Sequence, residues 1–319
     1  MNTSVVIPAF NAEKTIKKTI DSLLNQTIKP DEIIIVNDGS TDSTKKIIEE
    51  IAKTNNSIKL FNRNNSGISV SRNFGAKNAL GELIAFLDSD VIVEKQWLEK
   101  IFAELKKDVF CVCGKYSIEL NSSLASDFFS FTISSSSFQG YNIAFRKKDF
   151  IESKGFNEKM KYCEDPEFFL RAFISNKKTL ESNAESFHRS YSLKERIKPN
   201  FKYSFFDAIL FKKYSSFLIN PFNLIKAPEN IKSIFGFYFF LFFSVLFSII
   251  IFLVSENVFS FLFLGFPSVI GCIKISLSKN KAKYKNNFLL VLIYSFFVLL
   301  LFELVKGIGF INGLIQGKF

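Results

Sequence analysis

The chain has 319 residues, of which 48% are hydrophobic and 41 are phenylalanine, so a mainly disordered protein is excluded. The 41 Lys and Arg outnumber the 30 Asp and Glu, and the net charge of +11 suits an anionic partner: a phosphorylated substrate, a nucleic acid or a membrane surface. Four scattered cysteines do not make a disulfide scaffold or a zinc site, so we expect reduced, mostly buried thiols.

The first strand and helix come at the very start of the chain. Val5–Ala9 is rich in β-branched residues and predicts a buried strand. Lys14–Leu24 follows with its apolar residues at helical spacing, which predicts an amphipathic helix. The first residues show no basic segment and only a short apolar run, so we expect no signal peptide and a cytoplasmic amino end.

Two further strands end in polar turns. Glu32–Val36 predicts the second strand, and the turn Asn37–Asp42 leads from it into a helix over Ser43–Lys53. Leu83–Leu87 predicts the third strand. Strands that alternate with helices predict an α/β fold with a mostly parallel central sheet and helices on both faces. Ligands of such sheets bind beyond the carboxyl ends of the strands.

Acidic residues follow the second and third strands. Asp88 and Asp90 stand two residues apart, so both side chains point to the same side and can share one divalent cation with substrate phosphates. The alternative for this pair is a solvated loop with a helix cap. Asp38 has a similar place after the second strand, where it can also be a simple turn residue. These acids predict a nucleotide-binding edge.

Two features lie further along the chain. Glu164-Asp165-Pro166 precedes an apolar helical segment, and this order predicts Asp165 as the N-cap with Pro166 at the first helical position. His188 is the only histidine, and a lone histidine is more often structural than functional.

Past residue 230 the composition changes. Mean hydropathy is +0.17 although 22% of the residues are charged, so the apolar residues are concentrated. Three apolar runs, at about 234–254, 257–274 and 286–305, predict membrane spans. A re-entrant or interfacial hairpin is the alternative for the two shorter runs. Lysines lie before the first span and between the second and third, which predicts a cytoplasmic N-terminal domain. Residues 201–230 mix aromatics with lysines and predict amphipathic interfacial helices.

Several segments of the N-terminal part, taken in chain order, form a pattern that resembles a known family. They are Val5–Asn11, Asn25–Asp42, Asn65–Asn73, Leu87–Asp90, Gly140–Arg146 and the pair Glu164-Asp165. Together they resemble the family 2 glycosyltransferases with the GT-A fold, over roughly residues 4–190. The resemblance implies a nucleotide-sugar-binding GT-A domain over residues 1–200. The interfacial helices at 201–230 and an all-α membrane region at 231–319 would follow, a tail that many members carry.

The resemblance also implies roles on the donor side. The implied donor-binding residues are Pro8, Ala9, Phe10, Glu13, Asp38, Arg72 and Asp88. Phe10 would stack on the nucleobase, Asp38 would accept hydrogen bonds from it, and Arg72 would contact the base or a phosphate. The alternatives are core packing for Phe10, a surface ion pair for Arg72, and support of a helix N-terminus for Glu13.

The remaining implied roles concern the cation and the transfer step. By resemblance, Asp90 binds Mg²⁺ or Mn²⁺, Asp88 contacts the ribose or the metal, and His188 is a weaker metal candidate. Asp165 would be the general base that takes the proton of the attacking hydroxyl, with Glu164 orienting the acceptor. Transfer with inversion needs no covalent enzyme intermediate.

These features predict a membrane-anchored inverting hexosyltransferase in the cell membrane. It would move a sugar from a UDP- or GDP-linked donor to a lipid-linked or cell-surface glycan at the cytoplasmic face. We expect no nucleic-acid partner, because much of the basic excess borders the spans. One alternative is a polyprenyl-phosphate glycosyltransferase, although a phosphate acceptor is already ionised and needs no base. The other is a non-catalytic membrane protein that binds nucleotide sugars.

Overall fold

A computed structural model describes residues 2–119, 140–189 and 193–218, together with 226, 308, 310–312 and 314–316. The chain divides into two compact units. The first comprises Met1–Glu119 and Ser136–Arg189, and it contains the sheet and every candidate site residue. The second contains the long helix that follows.

The described residues of the first unit form eight strands and six helices. The strands are β1 (Thr3–Ala9), β2 (Glu32–Asp38), β3 (Ile58–Arg63), β4 (Leu83–Leu87), β5 (Val91–Val93), β6 (Cys111–Glu119), β7 (Asn142–Arg146) and β8 (Thr179–Arg189). The helices are α1 (Ile16–Leu24), α2 (Thr44–Ala52), α3 (Ile68–Asn78), α4 (Trp97–Ala103), α5 (Lys147–Glu152) and α6 (Glu164–Ile174). The three strands and two helices predicted from the N-terminal sequence are all present.

The strands form one mixed sheet in the order β3-β2-β1-β4-β7-β6-β8-β5. The first four strands in this order are parallel to one another, as predicted. The expected mostly parallel pattern does not continue, because β7 is antiparallel to both of its neighbours and β5 is antiparallel to β8. Adjacent antiparallel strands need no helical crossover. The strand–helix alternation of the first 90 residues therefore does not extend to the second half of the unit.

Helices cover both faces of the sheet, and two hydrophobic cores result. Alternate residues of β1 belong to different cores, since side chains along a strand alternate in direction. Val5 and Ile7 pack with residues of α1, α2 and α4, including Trp97. Val6 packs on the opposite face with residues of α3, α5 and α6, including Phe168. The described cysteines, at positions 111, 113 and 163, are buried free thiols, as predicted.

The helix of the second unit is α7 (Leu193–Leu218), with a kink at Tyr214, where φ is −112° and ψ is 19°. Residues 201–218 of this helix belong to the segment 201–230 that the sequence predicts to be interfacial. Ser204 and Asp207 lie on a buried side, whereas Tyr203 is exposed. Within the described ranges, no helix combines the length and apolarity that crossing a bilayer requires. The predicted spans at about 234–254, 257–274 and 286–305 lie outside the described residues and stay predictions.

Candidate active site

The turns after β1 and β2 are joined by hydrogen bonds at the carboxyl edge of the sheet. Asn11, which has a left-handed backbone (φ 49°), donates its N–H to Ser40 Oγ (3.0 Å) and accepts from the Thr41 N–H (2.8 Å). Glu13 accepts from the Ser43 N–H at 3.1 Å. Glu13 therefore supports the N-terminus of α2 rather than that of α1. These bonds hold the two turns in one arrangement.

Asp38 lies at the end of β2 and anchors the entry to α3. Its Oδ1 accepts from the N–H (2.9 Å) and the hydroxyl (3.0 Å) of Ser66, and its Oδ2 accepts from the Gly67 N–H (2.8 Å). Gly67 is the N-cap of α3 and has a φ of 99°, which only glycine adopts easily. A carboxylate offers about four acceptor positions, so about one remains for a ligand.

Phe10 differs from the two residues before it. Pro8 and Ala9 are buried at the end of β1, whereas the Phe10 side chain is 49% exposed beside the Asn11 turn. Phe10 is therefore not part of the core, and its ring is accessible to a planar ligand. Pro8 and Ala9 can face a ligand only through their backbone, because their side chains point into the core.

Arg72 connects the end of β4 with the start of α6. Its side chain is almost completely buried, its Nη2 lies 2.7 Å from Asp88 Oδ1, and its Nη1 lies 2.7 Å from Glu164 Oε1. Burial lowers the pKa of this guanidinium, but the carboxylates of Asp88 and Glu164 outweigh that effect and raise the pKa above its usual value. Arg72 thus stays charged and joins two acids that are 76 residues apart in the sequence (164 − 88).

Asp165 lies beside this ion-pair bridge in the first turn of α6. The predicted capping arrangement is wrong: the N-cap is Cys163, in a left-handed conformation (φ 60°), and the helix already begins at Glu164. Asp165 therefore does not cap α6, and its Oδ2 accepts from the Gly140 N–H at 3.3 Å. Burial and the Glu164 carboxylate raise the pKa of Asp165 to about 7, against the opposing effect of Arg72.

Asp90 and His188 contact each other beyond the end of β4. Val91 pairs with His188 across β5 and β8, and this register brings His188 Nε2 to 3.2 Å from Asp90 Oδ2. A carboxylate and an imidazole are both ligands that Mn²⁺ accepts, so this pair fits a divalent cation. No group of three or more His, Cys, Asp or Glu is arranged as a metal site in the described part of the chain. A divalent cation at this pair would take further ligands from a bound phosphate or from water.

Some residues with positions close to the site were not recognised from the sequence. The Asn73 side chain donates to the Phe156 carbonyl at 2.8 Å and accepts from the Phe156 N–H at 2.9 Å. Glu167 is fully buried and forms an ion pair with Arg171, at 2.9 Å. The signal for Asn73 was a polar residue next to Arg72 in a helix that packs on the sheet. The (i, i+4) spacing of Glu167 and Arg171 is typical of an exposed helical ion pair, so it gave no indication that Glu167 is buried.

Known proteins resemble this chain over its N-terminal part. Residues 4–155 match the family described as glycosyl transferase family 2, which supports a family 2 glycosyltransferase domain in this part of the chain. The putative glycosyltransferase EpsH of Bacillus subtilis is 39% identical over 116 residues, which are 36% of this chain and 34% of that protein. The cholesterol galactosyltransferase of Borreliella burgdorferi is 38% identical over 116 residues, 36% of this chain and 32% of that protein. The chain thus spans about a third of the length of these relatives.

A solved structure extends the likeness in fold. A mannosyltransferase from Pyrobaculum calidifontis, in complex with GDP-Man and Mn²⁺, superposes with a TM-score of 0.62 at 14% identity. The superposition covers 99% of this chain and 88% of that one. The chain therefore has a GT-A-like α/β fold with a mixed sheet.

Proposed function

We propose that this chain is an inverting glycosyltransferase. It moves a sugar from a UDP- or GDP-linked donor to a hydroxyl of a lipid-linked or cell-surface glycan at the cytoplasmic face of the cell membrane. One observation carries the proposal: two contacts of 2.7 Å, from Asp88 through Arg72 to Glu164, bring the acids after β4 and the acids of α6 into one site. Direct transfer needs such a site, where a base stands next to the donor diphosphate.

The donor side would bind the nucleotide through three groups. The exposed Phe10 ring offers a face for the nucleobase, and Asp38 keeps about one acceptor position for a base N–H. Asp88 uses Oδ1 for Arg72, which leaves Oδ2 for the ribose or the cation. The neighbour solved with GDP-Man supports a nucleoside diphosphate sugar as donor.

Asp90 and His188 would hold Mg²⁺ or Mn²⁺ together with the donor diphosphate. Their contact of 3.2 Å supports this assignment, and the Asp90 carboxylate is a ligand that both ions accept. When bound, such a cation neutralises the charge that develops on the departing nucleoside diphosphate.

Asp165 would act as the general base. It accepts the proton of the acceptor hydroxyl while that oxygen bonds to the anomeric carbon and the bond from this carbon to the diphosphate oxygen breaks. A single displacement of this kind inverts the anomeric configuration and leaves no covalent enzyme intermediate. A pKa near 7 suits a base that works at neutral pH. A base at this position favours a hydroxyl acceptor over a polyprenyl phosphate, which carries no proton that must be removed.

The membrane part of the proposal rests on the sequence. The apolar runs past residue 230 and the lysines between the second and third run support an anchored enzyme with its family 2 domain inside. The relative named for a cholesterol acceptor supports a lipid-linked substrate. In single-cysteine labelling of intact cells, Lys281→Cys should be protected from an impermeant reagent and Glu256→Cys should react. The reverse pattern would contradict the proposed orientation.

The activity itself is tested with the full chain in detergent or nanodiscs. UDP- and GDP-sugars are supplied with Mn²⁺, Mg²⁺ or EDTA, together with a lipid-linked sugar or a polyprenyl phosphate. We expect cation-dependent release of nucleoside diphosphate and an inverted product with the lipid-linked sugar, identified by NMR. Transfer to the polyprenyl phosphate alone would favour the first alternative. Donor binding without turnover for every acceptor would favour a non-catalytic binding protein.

A further inference from the structure

One face of α3 holds the segment that leads into α6. Ser69 Oγ donates to the Met160 carbonyl at 2.9 Å, and Asn73 exchanges two hydrogen bonds with the backbone of Phe156. Ser69 and Asn73 are four residues apart and therefore share a face of the helix. Arg72, three residues after Ser69, is a neighbour of Ser69 on the same face. The segment before α6 is thus anchored on α3 at successive turns.

Arg72 has partners of a different kind from those of Ser69 and Asn73. It contacts carboxylates instead of backbone groups: Asp88 on one side and Glu164 on the other, at 2.7 Å each. The guanidinium is tightly enclosed, since a Cβ added at Gly140 would lie 2.8 Å from Arg72 Nη1. With 1% of its surface exposed, Arg72 offers almost no area to a nucleotide. This arrangement differs from the direct donor contact that the sequence suggested.

We propose that Arg72 is a positioning residue that fixes the donor-side acid Asp88 and the acceptor-side acid Glu164 relative to each other. This inference rests on the proposed function and adds to it a residue that links its two half-sites. A guanidinium carries donors on two separate nitrogens in one rigid plane, whereas the donors of a lysine share one nitrogen, so a lysine cannot hold both carboxylates in the same geometry. Because Asp165 is the neighbour of Glu164, the bridge also determines where Asp165 stands relative to the donor. A displacement of about 1 Å in such a site costs about 10²-fold in rate.

The charges around Arg72 support the same role. One guanidinium faces three carboxylates, those of Asp88, Glu164 and Asp165. Without it, Asp88 and Glu164 would each be left with an unpaired charge in a largely enclosed site, which is costly. The bridge therefore allows acids of the two half-sites to stand close together.

The test compares Arg72→Lys with Ser69→Ala in the full chain. Ser69→Ala loosens the same segment but touches no carboxylate, so it is the matched control. For Arg72→Lys we expect kcat for transfer to fall about 10²-fold, while the Kd for the nucleotide sugar changes less than about threefold. For Ser69→Ala we expect both quantities to stay within about threefold of the wild type. Equal losses of kcat and donor affinity in Arg72→Lys would make Arg72 a donor ligand and overturn the proposal. So would equal losses of kcat in both variants.

A second measurement is independent of turnover. Thermal unfolding of Arg72→Lys, Glu164→Gln and the double variant forms a double-mutant cycle for the bridge. We expect the Tm shifts to be clearly non-additive, and additive shifts would overturn the proposed bridge. A wild-type chain that is inactive with every donor would overturn the proposed function instead, whereas the cycle would still report whether Arg72 and Glu164 are coupled.

Discussion

Two edges of this site differ in how their acids are hydrogen-bonded. The donor edge contains Asp38 and Asp42, and the acceptor edge contains Glu164 and Asp165. At the donor edge, Asp42 and Asp38 accept hydrogen bonds from the turns around them, among them the Thr44 N–H and the Gly67 N–H. Burial raises the pKa of Asp42, but the hydrogen bonds from Thr44 lower this pKa by more, so it lies below its usual value. At the acceptor edge, Asp165 receives one weak N–H contact, stands next to Glu164, and its pKa is raised to about 7.

This difference separates two uses of a carboxylate. Acids that accept several N–H groups hold loops in place, so their removal changes the shape of the donor edge. An acid with few donors and a like charge beside it holds its proton more tightly, and this makes it an effective base near neutral pH. The donor edge is therefore organised before any ligand binds, whereas the acceptor edge keeps unbalanced negative charge.

The largest effect is expected for Asp165→Asn, which removes the base and keeps the shape of the side chain. Transfer should fall by about 10²–10⁴-fold, while donor affinity stays near the wild-type value. The measurements are the transfer rate and nucleotide-sugar binding by calorimetry. The matched control is Asp108→Asn, an exposed acid whose ion pair with Lys178 contributes little. Transfer by Asp165→Asn at the level of this control would remove the distinction between the two edges.

A smaller effect is expected at the cation pair. Asp90→Ala takes away one of the candidate protein ligands, so Mn²⁺-dependent binding of the nucleotide should weaken about tenfold or more. Nucleotide binding in EDTA should be the same for variant and wild type, which makes the chelated wild type the control. Titration with Mn²⁺, followed by its electron paramagnetic resonance signal, measures the ion directly. An unchanged Mn²⁺ affinity would move the cation away from Asp90.

The raised pKa of Asp165 predicts pH effects on both rate and stability. Below pH about 7 the transfer rate should rise about tenfold per pH unit, because only the deprotonated carboxylate accepts a proton, and it should level off above. The folded-state pKa exceeds the ordinary aspartate value of 3.8, so this group stabilises the fold at low pH and loses that contribution as the pH rises through about 7. From pH 5 to pH 8, Asp165→Asn should therefore gain roughly 1–3 kcal/mol relative to the wild type. A Tm difference that does not change with pH would contradict the raised pKa.

The parts that the sequence predicted correctly depend on local patterns. The apolar runs of β1, β2 and β4 and the acids at the ends of β2 and β4 can be recognised within a few residues. The antiparallel pairs in the second half of the sheet depend on contacts between distant residues, so alternation alone could not reveal them. The sequence marked Arg72 only as a donor contact or a surface ion pair, because its partner Glu164 lies 92 residues further on. The N-cap prediction failed because the N-cap of α6 is a left-handed Cys163, two residues before the expected cap Asp165.

Asp38→Asn tests whether the donor edge is organised by its acids. The amide can accept at only one of its two ends, so the N–H groups of Ser66 and Gly67 cannot both keep their partners. We expect a loss of about 1–3 kcal/mol in the free energy of unfolding, together with weaker donor binding. Chemical denaturation with and without UDP or GDP measures both. Weaker donor binding with unchanged stability would show that Asp38 serves the ligand and not the loop.

The smallest effect is expected for Phe10→Ala, which completes the contrast within the donor edge. Phe10 is 49% exposed and lies outside both hydrophobic cores, so its removal should leave the Tm unchanged. The loss of one stacking surface should weaken nucleotide binding by about 1 kcal/mol, or roughly fivefold. Phe10→Tyr retains the ring and should bind like the wild type, which separates stacking from a general disturbance of the turn. If Phe10→Ala lowers the Tm as Asp38→Asn is expected to do, the ring supports the turn, and the nucleobase must bind elsewhere along this edge.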